Sequence, residues 1–103
     1  MYSYKLRHID NKGVALFIEI QNSDYTIFID NLVSAIALLN PEFILQDEII
    51  SSGSEMTKQY KTILGEFSIY LNMDEAIISA LREELVLMID SRLMIDPLFN
   101  KID

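Results

Sequence analysis

Apolar and polar residues alternate from the start of the chain. Tyr2, Tyr4 and Leu6 are interleaved with Ser3, Lys5 and Arg7, the two-residue period of a strand with one covered face. DNKG at 10–13 has turn composition, and Gly13 can take a positive φ at little cost. VALFIEI at 14–20 follows, rich in residues that suit a pleated surface, and the two runs predict a β-hairpin. QNSD at 21–24 breaks the pattern, and the short, β-branched YTIFI at 25–29 predicts a third strand.

The period then lengthens. Asp30 or Asn31 can cap a helix that places Leu32, Val33, Ile36 and Leu39 on one face. Asn40-Pro41 ends it, because the residue before a proline is pushed out of the helical region. The same pair can open another helix, with Asn40 as cap and Pro41 at the first position, so 42–51 reads as a short helix, with a strand as the alternative. SSGS at 51–54 reads as a loop, and 55–64 fits either state.

Gly65 to Leu71 alternates again, with Phe67, Ile69 and Leu71 on one side, and predicts a strand. Asn72 and Glu75 have the spacing of a capping box, and predict the last and longest helix from there to just before Asp96-Pro97. That helix would gather Ile77, Ile78, Leu81, Leu85, Met88 and Ile89 on one face and Glu75, Glu83 and Asp90 on the other. Val86 and Leu87 fall on the polar side, where a second element or a partner must cover them. PLFNKID at 97–103 carries no assignable pattern. The expected fold is a single α+β domain over 1–103: a mainly antiparallel sheet of about four strands packed against two or three helices.

Composition narrows function more than it narrows fold. Half of the 103 residues are hydrophobic, cysteine is absent, and no apolar run approaches the roughly 18 residues of a membrane span. A soluble, cytoplasmic protein is expected, without disulfides, thiolate chemistry or membrane contact. The net charge of −8 is uneven. Residues 13–57 hold seven acids (Glu19, Asp24, Asp30, Glu42, Asp47, Glu48, Glu55) and no Lys or Arg. Such a field repels nucleic-acid phosphates and favours encounter with a basic protein, although acids also keep a small apolar domain in solution.

Catalytic and metal patterns are lacking. His8 is the only histidine and lies in the first strand, where a rim position is its ordinary role. One His and no Cys do not make a zinc site, and DNKG lacks the carboxylates of a calcium loop. SSGS has neither the spacing of a nucleophile elbow nor the ending of a phosphate loop. No catalytic residue, metal ligand or cofactor is expected, and a small hydrolase built on a carboxylate pair is the least favoured reading. The candidate partner-binding residues are Asp47 and Glu48, which no local structure explains, with Glu55, Glu42 and Tyr60. Glu42 also has a structural reading, since a carboxylate near an element start opposes a helix dipole. Tyr60, between Lys58 and Lys61, is the aromatic with the most polar surroundings, and half-burial is the alternative to an interface anchor.

In size, cysteine-free acidic composition, the acidic stretch at 42–55 and the α+β pattern, the chain resembles the small acidic immunity proteins that bacteria make against their own toxins, including those of contact-dependent growth inhibition. The resemblance spans the whole chain and carries no motif. It implies a cytoplasmic inhibitor that forms a 1:1 heterodimer with one basic toxin, a nuclease for choice, and masks its active or substrate-binding surface. Another acidic binding module, such as a secretion chaperone or a phage-encoded inhibitor, is the alternative.

Overall fold

A computed structural model describes residues 1–9, 13–21, 24–44 and 55–102. The chain runs β1 (Tyr2–Ile9), β2 (Gly13–Glu19), α1 (Tyr25–Ala35), a single 3-10 turn (Ala37–Leu39), β3 (Glu42–Ile44), β4 (Met56–Thr62), β5 (Gly65–Leu71), β6 (Glu75–Ala80), α2 (Glu83–Met94) and β7 (Phe99–Lys101). The strands form one sheet in the order β3-β4-β5-β6-β2-β1-β7. All neighbours are antiparallel except β1 and β7, which are parallel. The class is α+β as expected, but the sheet has seven strands and is mixed.

The β1–β2 hairpin and β5 form where the sequence predicts them, and Gly13 takes φ 85° at the hairpin's return. Other expectations are corrected. YTIFI is helical, because Asp24 accepts hydrogen bonds from the backbone amides of Thr26 and Ile27 at 2.7 and 3.3 Å and starts α1 six residues before Asp30. Phe28, Leu32 and Ala35 then share the buried side of that helix. Glu42–Ile44 is a strand rather than part of a helix, entered through Asn40 in the left-handed region at φ 49°, a conformation asparagine tolerates. The loop expected at 51–54 lies outside the described residues.

Asn72 caps no helix. Its side-chain oxygen accepts from the amides of Asp74 and Glu75, closing the β5–β6 turn, and Glu75 begins a strand. The same short-range bonding that caps a helix here folds a hairpin. α2 starts eleven residues later, with Glu83 and Glu84 in its first turn opposing the helix dipole. It ends at Met94, before Asp96-Pro97. Val86 and Leu87, expected together on the polar side, are separated: Val86 is in the core and Leu87 is exposed.

Register puts the core on one side of the sheet. Tyr4 faces Ile18, which faces Ala76, which faces Leu71, which faces Met56. One row on, Leu16, Ile78 and Ile69 lie side by side. Every strand residue of the buried cluster belongs to this face, where α1 adds Phe28, Leu32 and Ile36 and α2 adds Leu85, Val86, Ile89 and Leu93. Burying each large side chain contributes about 1.5–3 kcal/mol. Tyr4 also anchors three elements: its hydroxyl donates to the Asp90 carboxylate of α2 at 2.9 Å, and Lys101 of β7 pairs with the same carboxylate at 3.0 Å. Asp90, read from sequence as a solvated helix residue, is buried.

Candidate partner-binding face

The alternate residues of the same strands face the other way, and among the described residues no helix covers them. Three rows cross this open face. The first pairs Glu19 of β2 with Glu75 of β6, directly opposite one another. The second is Lys5, Phe17, Ile77, Tyr70 and Thr57, a half-buried aliphatic and aromatic ridge across five strands. In the third, Arg7 faces Ala15, and Ser79, Ser68, Gln59 and Ile44 follow in register. Ser79 and Ser68 are small, so a shallow trough runs beside the ridge, lined at its end by Gln59, Glu66 and Arg82. Hydrogen bonds stiffen its floor, with Ser68 donating to Gln59 at 2.6 Å and Gln59 to Glu66 at 3.3 Å.

The acidic row continues through Glu55, whose carboxylate accepts a hydrogen bond from the Tyr70 hydroxyl on the ridge. That bond, with lesser contributions from burial and from the carboxylate's charge, raises the Tyr70 phenol above its ordinary pKa. Asp74 stands in the β5–β6 turn beside Glu75, its carbonyl accepting from the Ile20 amide, and exposed Asp24 follows β2. Five carboxylates thus gather at one end of the sheet. Among the described residues, neither Glu19 nor Glu75 makes an ion pair or a side-chain hydrogen bond. Opposed residues in an antiparallel pair stand about 4.5–5.5 Å apart at Cα, so this is close like-charge contact.

The residues singled out by sequence fare unevenly. Glu55 joins the acidic row. Glu42 lies on the open face but at the far end, in a Glu42–Lys61–Glu66 row of alternating sign. It begins a strand, so the helix-dipole reading falls. Tyr60 is only 4% exposed and points into the core side, stacked on Phe67 at 5.2 Å, because its register partner is the inward-facing Phe67. It offers a partner nothing, and burial raises its phenol pKa, with Asp30 adding to the shift. Asp47 and Glu48 lie outside the described residues. Sequence reading passed over Glu19, Glu75, Phe17 and Ile77, since only the pairing of β2 with β6 brings them together. The one available signal was Glu19 as the sole polar residue in VALFIEI.

No three His, Asp or Glu side chains among the described residues come together as a metal site, and exposed His8 sits on β1 facing Val14. Among the described residues no helix is long and apolar enough to cross a membrane. Comparison with protein-family models, with curated proteins and with solved structures finds no match to this chain.

Proposed function

We propose that this protein is an inhibitor of the immunity type, which binds one basic protein, a toxin of nuclease class for choice, through the acidic end of its open sheet face. The observation that carries the reading is Glu19 set against Glu75, neither of them in an ion pair among the described residues. Like charges directly opposite in a sheet cost stability, and a basic partner supplies the missing counter-charge. The neighbouring Phe17–Ile77–Tyr70 ridge and the trough give a partner relief to dock on, while the carboxylates stand in for substrate phosphates and steer association.

The test is co-purification followed by association kinetics. A 1:1 complex with a protein of high isoelectric point is expected, with its activity blocked and its on-rate falling as salt rises. Glu19→Lys with Glu75→Lys should slow association by about tenfold or more while the fold persists. An on-rate indifferent to both salt and these substitutions overturns the proposal. A second reading, a chaperone-like module that holds an apolar segment, is favoured by the exposed Leu87, Met88 and Met94 on the outer face of α2. Its complex would survive these substitutions and be lost on changes at Leu87 or Met94.

A further inference from the structure

At the acidic end, the sheet and α1 border a hollow that is separate from the trough. Its volume is about 470 Å³, and Ser3, Glu19, Gln21 and Asn31 supply its polar lining. Register places the first two together. Continuing the β1–β2 ladder one residue past Tyr4 and Ile18 sets Ser3 beside Glu19, which faces Glu75 on its other side. Asn31 completes the lining from α1. Its carboxamide nitrogen donates to the Tyr2 hydroxyl at 3.1 Å, which fixes the group and leaves its oxygen as an acceptor. The backbone around the hollow is tied down as well. The Tyr2 amide donates to the Leu98 carbonyl at 2.7 Å, and the Ile20 amide to the Asp74 carbonyl at 2.9 Å.

We infer that this hollow receives one arginine side chain of the basic partner, an assignment that rests on the inhibitory role proposed above. Each polar side chain in the lining offers an acceptor oxygen, and the one charge among them is the exposed carboxylate of Glu19. Among the described residues no Lys or Arg lines the hollow. Met1 also lines it, 84% exposed, and its ammonium pairs with neither Glu19 nor Glu75.

Size and donor geometry choose the occupant. A single turn of helix, about 10 Å across and about 5.4 Å long, would fill the whole space, so what enters is a side chain. A guanidinium spreads five N–H donors over one plane and has no acceptor. It can take a carboxylate on one edge and neutral oxygens on the other, and it leaves water more readily than an ammonium does. An ammonium gathers three donors at one point and leaves part of this ring of acceptors unused. Bound there, the guanidinium also brings a positive charge to the side of the Glu19–Glu75 pair, where like charges otherwise oppose each other.

Titration of the full chain with N-acetyl-arginine amide, followed by NMR of its amide groups, tests the assignment. Saturable shifts are expected at Ser3, Gln21 and Asn31. N-acetyl-lysine amide should bind at least about threefold more weakly. Glu19→Gln should weaken binding of the arginine probe about tenfold, the worth of one charge-assisted hydrogen bond. Asp74→Asn removes an exposed charge at the same end but outside the lining, and should change binding by less than about twofold. No saturable shift, equal binding of the lysine probe, or a loss on Asp74→Asn as large as that on Glu19→Gln overturns the inference. The probe needs no partner, so the two ideas fail separately. A basic partner whose association still slows on Glu19→Lys with Glu75→Lys leaves the inhibitory role standing even where the probe does not bind.

Discussion

Tyr4 shows how one side chain can hold distant parts of a chain together. Its ring is fully buried, its hydroxyl donates to Asp90, and both groups are shielded from water. Burial first, then the hydrogen bond and the charge of Asp90, push the phenol far above its ordinary value near 10. The folded state therefore keeps a proton that the unfolded chain releases. This contribution is complete below about pH 10 and is lost as pH rises from there toward the folded value. Tyr4→Phe should flatten the alkaline fall in melting temperature. At neutral pH it should cost about 1–3 kcal/mol, since the buried Asp90 carboxylate loses a donor. Thermal melts across alkaline pH check both; an unchanged slope would show that Tyr60 and Tyr70, also raised, set it instead.

Elements were legible where one period ruled a whole segment. β1 and β5 alternate along most of their length and β2 is built of residues that suit a pleated surface, and their register partners bear this out. Where two periods coexist, side-chain bonding decided the outcome. Tyr25-Thr26-Ile27 suits a strand by propensity, yet Asp24 satisfies two amides and the turn becomes helix. Asp24→Ala should accordingly cost about 1 kcal/mol, whereas Asp30→Ala, exposed and bonding no helix amide, should stay within about 0.5 kcal/mol in chemical denaturation. The sequence placed the cap at the wrong aspartate because both precede apolar residues at helical spacing. β6 was hidden for a different reason: Ala76, Ile77 and Ile78 put apolar residues on both faces, which erases alternation. β3 and β7 have three residues each, too short to show any period. Long-range placement was beyond reach in principle. Nothing local to Asp90 reveals that Tyr4 and Lys101 await it, and nothing local to Glu19 reveals Glu75.

At the scale of the molecule, a sheet covered on one side divides the chain's tasks. One face is spent on the core, and the other displays side chains on a rigid lattice. Relieving the repulsion on that lattice without a partner should stabilise the free protein. Glu19→Gln with Glu75→Gln is expected to raise stability by about 0.2–1 kcal/mol, measured by urea titration. A loss of stability would mean that the two carboxylates hold the fold, and the like-charge argument would fail. The acidic middle of the sequence supplies Glu19 and Glu55 to this face but not the Glu75 that stands opposite Glu19, because charge can be summed along a chain while adjacency across strands cannot.

The parallel pairing of β7 with β1 joins Tyr2 to Phe99 across almost the whole sequence. At synthesis rates of roughly 5–20 residues per second, the partner of the first strand emerges about 5–20 s after it. During that interval the outer edge of β1 is an unpaired template for other chains. Even afterwards β7 covers only Tyr2 to Tyr4, leaving Lys5 and Arg7 along the uncovered length, where charge discourages edge-to-edge growth. β7 is thus the strand that shortens the open edge of β1, and it does so long after β1 is made.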